Sequence, residues 1–295
     1  MIRIFSFRKI IITTLFLLLA IILYTYPSDL EKHISYQDTA KRNIYLIDMN
    51  DYVVMTKDSY NSILDLITLL KDNNDGERFK GLIPSNTKVL SYEINNGILS
   101  IDFSNDIMDI ESDKSILMLE SLIYSCTSLE NIDKIAIFVE GNHLDYVPNT
   151  NIKLDYYLDR NFGINTIYNI DSINNTSSVT VYYSKDDYFI PITLVSNDSS
   201  DKMSIIINSL SSNKVFDSNL SNQISNNVKL LNYDYDEEVI DLNFDDCLFD
   251  YVLDGTLKEE VKYTLFYSIY DTFGVKNVTF RINNEYIDNF GLANS

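Results

Sequence analysis

The chain contains the same pattern twice, and that repeat constrains its fold more than any other feature. Residues 86-NTKVLSYEINNGILSIDFSNDIMD-109 align without a gap on 227-NVKLLNYDYDEEVIDLNFDDCLFD-250, an offset of 141, and Asn86, Lys88, Leu90, Tyr92, Phe103 and Asp109 meet identical residues. In the first copy Leu99, Ile101 and Phe103 alternate with polar residues, as do Ile240, Leu242 and Phe244 in the second. That is the period of a strand with one buried face, so each copy predicts a two-stranded hairpin.

The flanks repeat as well. Upstream, Ile63, Leu66, Ile67 and Leu70 recur at helical spacing, and Met203, Ile206, Ile207 and Leu210 do so 140 residues later. Asp58 or Ser59 is the expected cap of the first of these helices, and Ser199 or Ser200 that of the second. Downstream, Leu119, Leu122, Ile123 and Cys126 match Lys262, Leu265, Phe266 and Ile269, giving each copy a second helix. Each copy closes on an alternating strand, Ile135 to Glu140 and Val278 to Asn283, and opens with a hairpin around Asp51-Tyr52 or Asp187-Tyr188, an offset of 136. The offset drifts only between elements, where loops accept insertions.

The order β-β-α-β-β-α-β predicts an α+β fold of two tandem small domains, each with two helices packed on a mixed sheet. The first domain spans residues 43–142 and the second 177–290, with a linker at 143–176 and a tail at 291–295. Leu154, Phe162 and Ile167 give the linker apolar residues able to dock on a domain.

The N-terminus is of another kind. From Ile10 to Tyr24 no charge occurs, Arg3, Arg8 and Lys9 precede the run, and the first acid is Asp29. Length and charge order read as an uncleaved single-pass anchor over 1–28, with the N-terminus cytoplasmic and residues 29–295 outside, beginning with a polar tether over 29–42. A cleaved leader is the rival reading, but LYTYPSDL carries no small-x-small cleavage pattern.

With 23 basic and 43 acidic residues the formal net charge is −20. Such a surface repels phosphate backbones and wall polyanions and excludes nucleic acid as a partner, while favouring basic proteins.

On these residues the two copies resemble the GerM domain of sporulation and spore-germination proteins. The first copy carries 82-LIPSNTKVLSYEINNGILSIDFSNDI-107, similar to the family's Leu-Pro-x-x-Thr entry and Val-Asp-Leu-Ser type strand end, and then 128-SLENIDKIAIFVEG-141. The segment 156-YYLDRNFGIN-165 resembles the stretch that commonly comes after the first of two such domains, and 271-DTFGVKNVTFRIN-283 keeps a Phe-x-Gly-Val-x-x-Val pattern. The second copy departs at Ser225, where the first has Pro84, and at Asn243, where it has Asp102. The resemblance implies a fold similar to the ring-building motif, whose members pack side by side into rings, and it brings no catalytic residues. It also implies protein partners, either copies of the chain or related domains, or a wall component or wall amidase. The family's lipoproteins carry a lipobox cysteine that this chain lacks.

No residue set for catalysis is nominated, nor any cofactor or metal site, and the chain reads as a non-enzyme. Cys126 falls on the buried stripe of its helix, while Cys247 aligns with Asp106. His33 and His143 have no ligand or triad partner at working spacing. The acids Asp234, Asp236, Glu237, Glu238, Asp245, Asp246 and Asp250 suggest calcium, yet Asp236 and Glu237 align with the turn residues Asn95 and Asn96. The run 72-DNNDGERFKG-81 lacks the glycine and glutamate positions of an EF-hand loop. Tyr45, Tyr92, Tyr182, Tyr188 and Tyr233 lie on predicted strands, where core and partner surface read alike.

Overall fold

The computed structural model describes residues 41–72, 78–211, 220, 223–236 and 238–291. The expected anchor over 1–28, nearly all of the tether, Glu237 and residues 292–295 of the tail lie outside the described residues. The first copy contains β1 (Arg42–Ile47), β2 (Val53–Asp58), α1 (Ile63–Leu69), β3 (Val89–Asn95), β4 (Ile98–Phe103), α2 (Ser115–Cys126), β5 (Lys134–Val139) and the short β6 (Asn142–His143). After β7 (Ile167–Asn169) the second copy repeats the order with β8 (Ser177–Lys185), β9 (Tyr188–Ser196), α3 (Lys202–Ser211), β10 (Leu230–Tyr235) and β11 (Val239–Phe244). A short hairpin, β12 (Val252–Leu253) and β13 (Thr256–Leu257), precedes α4 (Glu259–Phe273), β14 (Asn277–Ile282) and β15 (Glu285–Gly291).

The α+β class, the duplication and the helix positions match the sequence reading, while the caps differ. Ser62, not Asp58 or Ser59, accepts the Asp65 N–H at the start of α1. At the start of α3 Asp201, rather than Ser199 or Ser200, accepts the Ser204 N–H at 3.1 Å. Both caps immediately precede their helix, where a side-chain oxygen reaches the unpaired amides of the first turn.

The sheets depart from one mixed sheet per copy. β3-β4-β5-β6 and β10-β11-β14-β15 are separate four-stranded sheets, with β4–β5 and β11–β14 parallel across a helical crossover. The opening hairpins leave their own copies and join each other in a five-stranded sheet ordered β1-β2-β9-β7, with β8 on the other side of β9. Their burial supports this arrangement. Ile44 to Ile47 and Val179 to Tyr183 are continuous buried runs rather than alternating ones, as expected of strands covered on both faces.

The outer edges of this sheet, β1 and β8, are closed by hydroxyl side chains of the long helices. Ser125 Oγ accepts the Tyr45 N–H at 2.9 Å and Ser121 Oγ donates to the Tyr45 carbonyl at 2.6 Å. In the other copy Ser268 Oγ accepts the Tyr182 N–H at 2.9 Å, and Thr272 Oγ1 accepts that of Thr180 at 3.2 Å. A buried edge strand would otherwise carry unpaired backbone groups.

Residues 144–167 are packed rather than strung between the copies, while residues 171–176 are exposed. Leu144, Val147, Leu154, Leu158 and Ile164 are buried, Phe162 and Ile167 pack against the core, and β7 pairs in parallel with β9.

Candidate functional site

The residues singled out for chemistry fall into ordinary structural places. Cys126 is buried, which pushes its thiol up to about 12 and removes the reactive thiolate at neutral pH. His143 stacks on Tyr156 with ring centroids 4.2 Å apart, and its Nδ1 lies 2.8 Å from Asp145 Oδ1. His33 lies outside the described residues. Asp245, Asp246 and Cys247 are brought together, but Asp245 already accepts the Lys229 N–H at 3.1 Å. Asp236 accepts the Glu238 N–H at 3.0 Å, as a turn residue does. Of the tyrosines read from the strands, Tyr45, Tyr182 and Tyr188 are buried, whereas Tyr92 is exposed.

Sequence reasoning missed the polar centre of the molecule. Arg160 lies between the copies and donates to Asp271 Oδ1 at 2.7 Å, Ser128 Oγ at 2.8 Å, Thr127 Oγ1 at 3.1 Å and the Tyr124 carbonyl at 3.2 Å. Its guanidinium carbon lies 4.8 Å from the Tyr124 ring centroid and 5.3 Å from that of Tyr270, a cation–π enclosure. Tyr182 Oη donates to Asp271 Oδ2 at 2.5 Å and lies 2.9 Å from Tyr45 Oη. Burial raises the Asp271 carboxyl above its ordinary range, although Arg160 and Tyr182 pull the other way. Burial by itself lowers Arg160, but the Asp271 carboxylate outweighs it and holds the guanidinium well above its usual value. The group is therefore a charged structural bolt with its donors spent. Its only sequence signal was the single arginine of the segment that joins the copies.

A second feature lies where β2 meets β9. These strands pair directly at Met55 and Phe189, antiparallel. At the hairpins' offset of 136, Met55 corresponds to Pro191 and Val53 to Phe189, so the two strands meet as equivalents about a local two-fold axis. The symmetric pairing would join Val53 to Pro191, which has no N–H to give. Asn165 fills the gap: its Oδ1 accepts the Val53 N–H at 2.9 Å, and its Nδ2 donates to the Val53 and Pro191 carbonyls, each at 2.7 Å. Asn165 takes a φ of 45°, a left-handed conformation that asparagine tolerates, and its own N–H donates to Glu120 Oε2 at 3.1 Å. Glu120 on α2 is 3% exposed, and burial pushes its carboxyl up to about 7 against that one hydrogen bond.

A third feature is an uncovered strip. β3 and β10 are the outermost strands of their sheets. Tyr92 and Ile94 stand opposite the buried Ile101 and Leu99, and paired residues of antiparallel strands share a face. They therefore point to the side of the sheet that carries the core, yet are 44% and 48% exposed, with Leu90 beside them at 47%. In the second copy Tyr233 and Tyr235 stand likewise opposite Leu242 and Ile240; Tyr235 is 54% exposed, while Tyr233 donates to Asp201 Oδ1 at 2.8 Å. Both strands carry a register irregularity at the same place, between Val89 and Ser91 and between Leu230 and Asn232.

Comparison with known proteins agrees with this architecture. The family model Germane, described as sporulation and spore germination, matches residues 34–145 and 180–288. A curated relative, the spore germination protein GerM of Bacillus subtilis (strain 168), is 25% identical over 274 residues, covering 87% of this chain and 75% of that protein. The solved structure of the tandem GerMN domains of the sporulation protein GerM from Bacillus subtilis superposes with a TM-score of 0.73 at 22% identity, covering 86% of this chain and 97% of that one.

Proposed function

The chain belongs to the Germane family of sporulation and spore germination, and from that premise we propose that it is a membrane-anchored structural protein outside the cytoplasm that assembles with copies of itself or with related domains in an envelope complex. The observation that carries the reading is the uncovered strip on β3, repeated in part on β10. Three large apolar side chains, Leu90, Tyr92 and Ile94, lie about half exposed on an edge strand, where a neighbouring subunit's apolar surface buries them.

The anchor rests on the charge-free run from Ile10 to Tyr24 and the three basic residues before it. Among the described residues no helix is long and apolar enough to cross a membrane, and the proposed anchor lies outside them. The reading is structural rather than catalytic: Arg160 and Asp271, the buried ion pair at the centre, are consumed by their own hydrogen bonds.

Light scattering with size-exclusion on residues 29–295 across a wide concentration range tests it. Concentration-dependent assembly that Tyr92→Lys with Ile94→Lys abolishes is the expected result. A strict monomer at every concentration sinks self-assembly and favours the second reading, a monomeric module that recruits a basic wall-remodelling protein, which the net charge of −20 suits.

A further inference from the structure

Glu120 opens onto a pocket of about 650 Å³ formed by the first hairpin's turn, α2 and the segment that joins the copies. One carboxylate oxygen holds the Asn165 N–H; the other has no protein partner among the described residues. The wall is apolar, with Leu117, Phe162 and Ile167 inside and Ile116, Ile152 and Tyr168 at the exposed mouth. The ionisable groups that line it are Asp51, Glu120 and the phenols of Tyr52 and Tyr168, and no lysine, arginine or histidine is among them. Lys114, which is 2.6 Å from Asp51, is already held by that acid.

A buried carboxylate without a countercharge is costly, and burial accordingly holds Glu120 up to about 7, so that near neutral pH it is poised between its two forms. A ligand that suits this pocket brings a positive charge at the end of an apolar stem. The stem packs on the apolar wall while the charged head supplies what Glu120 lacks. We propose that the pocket binds a lysine side chain presented by a partner protein, its ammonium donating to Glu120 and its methylene stem lying against Phe162 and Ile167. The pocket shares no residue with the strips on β3 and β10, so its failure leaves the assembly reading untouched.

The test is an NMR titration of the full chain, in neutral detergent, with N-acetyl-lysine-N-methylamide and with its uncharged norleucine analogue. Glu120→Gln keeps an oxygen for the Asn165 N–H and so retains the local fold. Ile152→Lys, at a half-exposed position on the mouth, gives the pocket a cation of its own. The expected result is at least tenfold tighter binding of the lysine compound at pH 8, a smaller preference at pH 6, and no preference in either variant. Equal binding of the two compounds, a preference that survives Glu120→Gln, or no binding of either overturns the proposal. Binding of free n-pentylamine without the lysine diamide also overturns it and assigns the pocket to small amines.

Discussion

Arg160 Nη1 lies 2.7 Å from Asp271 Oδ1 although 111 residues separate them in the chain, and this contact joins the segment between the copies to the last helix of the second. The Asp271 side chain is fully buried and that of Arg160 is 13% exposed. The pair thus gives the two copies one shared interior.

Breaking that pair from one side strands a buried charge. Asp271→Ala is expected to cost about 3–5 kcal/mol in urea unfolding, whereas the double change Arg160→Met with Asp271→Leu recovers most of the loss. A double variant as unstable as the single one contradicts this account.

Asn165 stands in for a strand residue beside Pro191. Asn165→Ala leaves the Val53 N–H and carbonyl unpaired and places alanine at a positive φ, a combined cost of about 3 kcal/mol. Amide exchange at Val53 should accelerate well before global unfolding. Unchanged protection there would show that the side-chain bridge does not close the seam.

Glu120 makes stability depend on pH in a direction opposite to that of a salt-bridged acid. Its proton is held more tightly in the folded chain, up to about 7 against an ordinary value of 4.5. The contribution is therefore complete below about 4.5 and is lost as pH rises through about 7, a change of roughly 3 kcal/mol. Glu120→Gln should lose this part of the pH dependence and gain on the parent chain at pH 8. Parallel stability curves for the two proteins between pH 4.5 and 8 would remove Glu120 as the cause.

The hydroxyl clamps on β1 and β8 give a matched pair of tests. Ser125→Ala and Ser268→Ala each take away the acceptor of a buried strand amide and should cost about 1.5 kcal/mol. Faster exchange is expected at Tyr45 in the first variant and at Tyr182 in the second, read by the same hydrogen-exchange experiment.

Much of this fold was legible because side-chain periodicity reports which face is buried. Leu99, Ile101 and Phe103 announced β4, and Ile63, Leu66 and Ile67 announced α1. Periodicity does not say which strand lies alongside, so the exchange of the opening hairpins went unread, although the run Ile44-Tyr45-Leu46-Ile47 already signalled burial on both faces. The internal repeat at an offset of 141 located both copies, and the resemblance to GerM domains was read on them. It left Arg160 and Asp271 unpaired, since one arginine and one of many aspartates carry no sign of each other at a distance of 111 residues. The strip on β3 was hidden for another reason: Tyr92 and Ile94 have the spacing of core residues, and only the missing cover above them makes them surface.

The meeting of β2 with β9, and of Tyr45 with Tyr182, is the geometry of a homodimer whose halves have been fused into one chain. Fusion frees such a pair from a rule that binds true homodimers, in which every substitution is made on both sides of the axis at once. Here the sides have diverged. Glu120 faces a pocket in one half, while Tyr263 occupies the corresponding helix position in the other and packs 4.9 Å from Phe290. Asn165 likewise serves one flank of the axis alone. The pseudo-symmetric pair therefore has two unlike ends, and a binding task at one end asks nothing of the other.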